Sequence, residues 1–168
     1  MWVMRKVLLA GSAAVVLMVG SSANAGAGVG AGGDTDDRVI APESDVAHHG
    51  RITLAAGRLG ILLVTQNHGP SSLESATVRL VLPERPAGAQ VLPAGCLRAG
   101  ERVVLCATGP LRAGGVGHKV SLDLRTVGTP SEVLVQIDTA WNGGASDLNP
   151  ENNEHRVLVP ATGDPYVF

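Results

Sequence analysis

The sequence predicts an all-β domain, a two-sheet sandwich of about seven short strands that follows an N-terminal export signal. Three observations lead to this prediction. Apolar and polar residues alternate with a period of two in several segments, prolines fall between those segments, and helical periodicity is nearly absent. The chain has 168 residues, which is enough for one domain with a single hydrophobic core.

The N-terminal segment 1–25 has the three parts of a secretory signal peptide. Arg5 and Lys6 supply positive charge, an apolar run covers 7–19, and the Ala-Asn-Ala sequence at 23–25 is a small-residue cleavage site. The apolar run is too short for a membrane anchor, because a spanning helix needs about 18 to 20 apolar residues. We therefore expect cleavage after Ala25 and a secreted protein, extracellular or associated with the cell wall, without a transmembrane anchor.

The segment 26–44 is rich in glycine, alanine and aspartate. Such a composition buries too little apolar surface to offset the entropy lost on ordering, so we predict a flexible linker here. The folded domain is then expected to cover 45–160, and 161–168 is expected to be a C-terminal tail.

The predicted strands follow the alternation of apolar residues. In the clearest one, Val120, Leu122 and Leu124 alternate with polar neighbours, so that one face lies in a core and the other in water. The segment 59–65 is almost continuously apolar, as is typical of a strand near the centre of a sandwich. The complete set is a first strand around Ile52 and Leu54, followed by strands at 59–65, 76–82, 102–106, 119–125, 132–139 and 155–159.

Proline positions give an independent check on these strands. All ten prolines lie outside them, as expected for a residue that cannot donate to a sheet ladder. The segment most open to a helical interpretation is 71–82, which contains neither glycine nor proline. There the alternation of Val78, Leu80 and Leu82 favours a strand and leaves room for one helical turn at 71–75.

The net charge argues against one class of partner, and the aromatic content indicates which residues form the core. Removing Arg5 and Lys6 from the 13 basic residues leaves 11 against 15 acidic ones, a formal charge of −4. This charge argues against a nucleic-acid partner, which needs clustered basic side chains. Beyond the signal the aromatic residues are Trp141, Tyr166 and Phe168, so the core must consist of valine, leucine, isoleucine and alanine.

The two cysteines, Cys96 and Cys106, are predicted to form a disulfide, because the chain is expected in an oxidising compartment. Closing so short a loop stabilises the fold by roughly 2.5 to 3 kcal/mol. The loop carries Arg98, Glu101 and Arg102. It could act as a rigid recognition surface of the kind that protease inhibitors use, since pre-ordering lowers the entropic cost of binding. A simple hairpin staple is the alternative interpretation.

A polar segment at 147–154 raises the possibility of a cation site. Its oxygens could surround a hard ion such as Ca²⁺, and the candidate ligands are Asp147, Asn149, Glu151 and Asn152, with Asn153 and Glu154 beside them. The spacing does not match an EF-hand. The competing hypothesis is a tight turn around Pro150, in which the side chains bind nearby backbone.

The remaining titratable residues do not form a recognisable metal or catalytic motif. His48 and His49 are neighbours and would point to opposite faces of a strand, so a shared zinc ion is not expected. We expect the histidines to be exposed or in turns. No Gly-x-Ser-x-Gly motif occurs, and nothing selects a glycosidase pair from the carboxylates of Asp123, Glu132, Asp138 and Asp147. We therefore predict no enzyme, no catalytic residue and no cofactor.

Four patterns occur in an order that resembles a known family. They are Thr-Gln-Asn-His-Gly-Pro-Ser at 65–71, Leu-Val-Leu-Pro at 80–83, the cysteine pair followed by Gly-Pro-Leu-Arg-Ala-Gly at 109–114, and Asp-Leu-Asn-Pro-Glu-Asn-Asn-Glu at 147–154. Together they resemble the immunoglobulin-like repeat of bacterial envelope proteins known as domain of unknown function number eleven, which is similar to the bacterial cell-adhesion-related domain. The resemblance covers about 45–159.

The resemblance implies an immunoglobulin-like sandwich that serves as an extracellular interaction or spacer module. We expect a secreted, non-catalytic interaction or structural module at the cell envelope, with a protein or glycan of the envelope as partner. The alternatives are a protease inhibitor presenting the loop between Cys96 and Cys106, and a calcium-stabilised carbohydrate-binding or adhesive module that uses 147–154.

Overall fold

The computed structural model describes residues 40–168. The predicted signal peptide at 1–25 and most of the predicted linker lie outside the described residues. The described part is all-β, with one short 3-10 turn at Pro150–Asn153. The strands are β1 (Glu43–Ser44), β2 (Val46–Ala55), β3 (Arg58–Asn67), β4 (Thr77–Val81), β5 (Cys96–Arg98), β6 (Val103–Ala107), β7 (Val120–Arg125), β8 (Glu132–Trp141), β9 (Ser146–Asp147), β10 (His155–Pro160) and β11 (Tyr166–Val167).

The strands form three sheets. The larger two are antiparallel, a five-stranded sheet in the order β10-β8-β4-β6-β5 and a four-stranded sheet in the order β11-β2-β3-β7. The third is a two-residue parallel pairing of β1 with β9. Each of the seven strands predicted from alternation is present, and the apolar strand β3 lies between two neighbours, as its composition predicts.

The buried faces of the two larger sheets share one hydrophobic core. Ile52 and Ile61 enter it from the four-stranded sheet, and Leu80, Val135 and Ile137 enter it from the five-stranded sheet. The alternation is strict in β7, where every second residue is buried. This pattern explains why a chain with few aromatic residues still builds a core: branched aliphatic side chains pack well on a pleated surface.

The segment 71–75 does not form the helical turn considered for it, because it belongs to a second, smaller cluster of buried residues. Leu73 forms a bridge with Leu111, and each backbone N–H donates to the other residue's carbonyl oxygen, at 2.8 and 3.0 Å. Both side chains are buried beside Val46 and Ala76. The long-range pairing therefore holds this segment extended, because it buries Leu73 where a helical turn of exposed serines would not.

Both predicted domain boundaries were too narrow. Glu43–Ser44 falls within the predicted linker but forms β1 against β9, and Tyr166–Val167 falls within the predicted tail but forms β11 against β2. The tail is ordered because Tyr166 and Phe168 pack against the main core, and because Gly50 and Phe168 exchange two backbone hydrogen bonds.

One proline departs from the prediction that all lie outside strands. Pro160 is the last residue of β10, opposite Glu132. The adjacent Ala161 N–H donates to Ser131 O at 2.7 Å, so the nitrogen of Pro160 faces away from β8. Because β10 is at the edge of its sheet, the missing donor costs the ladder nothing.

Candidate functional site

The predicted disulfide is confirmed and joins two neighbouring strands. Cys96 of β5 lies directly opposite Cys106 of β6, with an S–S distance of 2.06 Å. Cys106 is fully buried in the core, while Cys96 is partly exposed. The bond therefore ties the three-residue edge strand β5 to the body of the sheet.

The residues between the cysteines form a tight hairpin rather than an open loop. Leu97 and Arg98 pair with Leu105 and Val104, and Ala99 N–H donates to Val103 O at 3.0 Å. The exposed tip is held by the guanidinium of Arg98, which donates to the carbonyl oxygen of Glu101 at 3.1 Å. The side of β5 that faces β6 is thus paired within the hairpin, which favours the staple over an open recognition loop.

The polar segment at 147–154 is organised by hydrogen bonds to the carboxylate of Asp147. Its Oδ1 accepts from the backbone N–H of Asn149 at 3.0 Å, and its Oδ2 accepts from Val46 N–H at 3.2 Å and from Asn153 Nδ2 at 3.0 Å. Asn152 Nδ2 donates to Asp45 Oδ1 at 2.7 Å. The bond from Asn149 is the local contact of the turn hypothesis, whereas Val46 and Asp45 come from a distant part of the chain.

Among the calcium candidates, Asn152 Oδ1 is buried without a hydrogen-bond partner, while the carboxylates are less available to a cation. The carboxylate of Asp147 is surrounded by N–H donors, and Glu151 is exposed. Within 40–168 no group of three or more His, Cys, Asp or Glu residues is arranged to hold a metal ion. The segment instead holds the turn before β10 against the start of β2, through Val46 and the preceding Asp45.

His48 contradicts the expectation that the histidines are exposed or in turns. Its side chain is fully buried, with Nδ1 at 3.1 Å from the hydroxyl of Thr65 and Nε2 at 2.9 Å from the hydroxyl of Thr139. These threonines belong to β3 and β8, so the imidazole joins the two larger sheets. Burial, with smaller contributions from the nearby His155 and His49, lowers the pKa of His48 to about 4.

His49 lies on the opposite face of β2, as the alternation predicts. It is exposed and stacks against His68 with ring centroids 6.3 Å apart. Sequence reasoning missed the burial of His48 because the hydroxyl partners that make it tolerable come from distant strands. The parity of β2 offered one signal, since His48 shares a face with Val46, Ile52 and Leu54.

The four candidate carboxylates do not converge. Asp123 pairs with Arg58 on the four-stranded sheet, and Asp147 belongs to the turn described above. Glu132 and Asp138 point to the same face of β8 but lie six residues apart, which is roughly 20 Å along a strand. A glycosidase pair requires about 5 to 9.5 Å, so this pairing is too wide.

A surface that sequence reasoning missed lies on the outer face of the five-stranded sheet. In β8 the side chains of Val133, Val135 and Ile137 point into the core, and uninterrupted alternation would send Trp141 inward as well. A β-bulge intervenes: Val78 pairs with Thr139 but Thr77 pairs with Trp141. Trp141 therefore shares the outer face with Thr77 and is 52% exposed.

The same face carries a polar depression of about 420 Å³, lined by residues of β4, β8 and the start of β10. Within it, Arg79 and Asp138 form an ion pair with Nε and Oδ1 2.8 Å apart, and Arg156 lies opposite Gln136. Glu154 also lines the depression. We call Trp141 and these five residues the Trp141 face. Its tryptophan could not be assigned from sequence, because the bulge depends on the register between β4 and β8.

Comparisons of the chain with protein-family models, with curated proteins and with solved structures found no match. The described residues include no helix that is long and apolar enough to cross a membrane. What bears on function is therefore the arrangement of the side chains themselves.

Proposed function

We propose that this protein is a secreted, non-catalytic interaction module of the bacterial cell envelope, built on an immunoglobulin-like two-sheet sandwich. The observation that carries the proposal is the Trp141 face, where a bulge leaves a large aromatic side chain 52% exposed on the same sheet face as a polar depression. Exposed aromatic residues next to hydrogen-bonding groups are typical of binding surfaces.

The strand order supports the immunoglobulin-like part of the proposal. Seven strands have five or more residues: β2, β3 and β7 in one sheet, and β4, β6, β8 and β10 in the other. A constant-type immunoglobulin domain pairs its fourth strand with the fifth. Here the fourth long strand, β6, pairs instead with the third, β4. The first, second and fifth long strands (β2, β3, β7) and the third, sixth and seventh (β4, β8, β10) are ordered as in that domain, which supports a variant of the sandwich.

The positions of the motifs agree with the resemblance to domain of unknown function number eleven. The motif at 65–71 ends β3, and the side-chain Oδ1 of Asn67 accepts hydrogen bonds from the N–H groups of Gly69 and Asp45. The Leu-Pro pair at 82–83 follows β4, and the segment 147–154 leads into β10. These three motifs lie at strand ends or in turns, which supports the proposed resemblance.

Export is supported by the disulfide between Cys96 and Cys106 together with the signal-like sequence at 1–25. The non-catalytic part is supported by the carboxylates, because Asp123 and Asp138 are neutralised by arginines and Asp147 is saturated by N–H donors. Carboxylates held in this way are poorly placed for general acid or base chemistry.

The test is a retention experiment on envelope and culture-fluid fractions of the producing bacterium, using the exported protein on a solid support. Wild type is compared with Trp141→Ala and with Leu97→Ala, a matched control that removes an exposed apolar side chain of β5. We expect a component retained by wild type and Leu97→Ala but not by Trp141→Ala. Equal retention by all three, or by none, would refute the proposal.

Export is tested separately by the mass of the protein recovered from the culture fluid. We expect the chain to begin at Gly26 and to contain an intact disulfide. A chain confined to the cytoplasm with 1–25 still attached would overturn the envelope assignment.

A further inference from the structure

We propose that the Trp141 face binds a neutral oligosaccharide, with the indole ring stacked on the apolar side of a sugar ring and the polar depression binding its hydroxyl groups. This inference rests on the proposed interaction function and names the class of ligand.

The bulge in β8 favours a binding role for Trp141. Uninterrupted alternation in β8 would have placed the indole in the core with Val133, Val135 and Ile137, where its large apolar surface would stabilise the fold. The extra residue, Ala140, reverses this by re-aiming Trp141 into solvent. Bulges with this effect are frequent beside functional sites.

The charged side chains of the Trp141 face favour an uncharged ligand. Arg79 and Arg156 contribute two positive charges to the depression, and Asp138 and Glu154 contribute two negative ones, so their sum is zero when the imidazole of His155, which also lines it, is counted as neutral. An anionic ligand would need an excess of guanidinium groups. A quaternary ammonium ligand is recognised by a cage of several aromatic rings, whereas Trp141 is the one aromatic residue of this face. An uncharged ligand is therefore favoured.

The polar side chains of the Trp141 face can both donate and accept hydrogen bonds. Gln136 offers both donors and acceptors, Arg156 offers donors, and Glu154 offers acceptors. Such a mixed set fits hydroxyl groups, each of which can donate and accept. The depression of about 420 Å³ is in the range of small-ligand sites.

An extended peptide is the competing ligand for the Trp141 face. Extended peptides bind sheets by adding a strand to a free edge. Here β8 lies between β10 and β4, and β4 lies between β8 and β6, so both strands have their backbone groups paired. Arg156 alone comes from an edge strand, β10, so most of the face offers only side chains, which suits a ring that stacks flat better than a chain that needs backbone partners.

The test uses the exported full-length gene product and a panel of soluble neutral oligosaccharides: gluco-, manno-, galacto- and N-acetylglucosamine oligomers. Trp2 and Trp141 are the two tryptophans of the chain, so after removal of the signal the emission reports on Trp141 alone. Binding to wild type, Trp141→Ala, Trp141→Phe and the control Leu97→Ala is then measured by calorimetry, with thermal melting to verify that each variant folds.

We expect at least one oligomer to bind at millimolar concentration or below and to shift the emission of Trp141. Trp141→Ala should weaken that binding by about tenfold or more, Trp141→Phe should restore part of it, and Leu97→Ala should leave it unchanged. Absence of binding by the whole panel, or equal binding by Trp141→Ala, overturns the proposal. If envelope retention still depends on Trp141 in that case, the interaction function stands and only the ligand class is wrong.

Discussion

Acidification is expected to destabilise the domain through His48. The imidazole is neutral where it lies buried between Thr65 and Thr139, and its pKa falls from 6.5 to about 4 in the folded protein. The unfolded chain therefore binds the proton more tightly than the folded one. The full stability is present above about pH 6.5 and is lost progressively as the pH falls towards 4.

The magnitude follows from the pKa shift. The difference between 6.5 and about 4, at 1.36 kcal/mol per unit, corresponds to about 3 kcal/mol of unfolding free energy. This is a large fraction of the roughly 5 to 15 kcal/mol that holds a typical domain together. We therefore expect the urea midpoint of the wild type to fall steeply over this pH interval.

The assay compares urea unfolding of wild type, His48→Gln and His49→Gln at about pH 7 and pH 4. His48→Gln keeps a polar side chain in the site but cannot titrate, so its loss of stability on acidification should be smaller by about 3 kcal/mol. His49→Gln is the matched control, since it removes the neighbouring exposed histidine of the same strand. Parallel pH profiles for wild type and His48→Gln would refute the reasoning.

Three further predictions concern stability. Replacing Cys96 and Cys106 by alanine should lower the unfolding free energy by about 2.5 to 3 kcal/mol in urea titrations, and an unchanged value would mean that the staple contributes nothing. Ile137→Ala should cost about 2 to 5 kcal/mol because it opens a cavity in the core, whereas the exposed Leu134→Ala on the same strand should cost about 0.5 kcal/mol or less; similar losses would contradict the assigned faces of β8. Calcium or a chelator should leave the melting temperature unchanged, because the Asp147 carboxylate is occupied by N–H donors. A rise in melting temperature with calcium would restore the cation hypothesis for 147–154.

Sequence alone sufficed for the long strands because their signal is local. A half-buried strand needs an apolar residue at every second position. Val120, Leu122 and Leu124 show this pattern within one segment, so no pairing partner has to be known. The disulfide was equally accessible, since two cysteines allow a single intramolecular pairing. The turn interpretation of 147–154 also rested on local chemistry, because Asn and Asp side chains bind the backbone a few residues away.

Features that depend on pairing between distant segments were beyond the sequence. The two-residue strands β1 and β11 carry no periodic signal and exist because β9 and β2 offer them partners. His48 is buried because Thr65 and Thr139 supply hydroxyl groups from both sheets. Trp141 faces solvent because the register of β4 against β8 slips by one residue at a bulge. A one-residue slip reverses the face of every side chain beyond it, so the candidate binding surface was decided by tertiary structure alone.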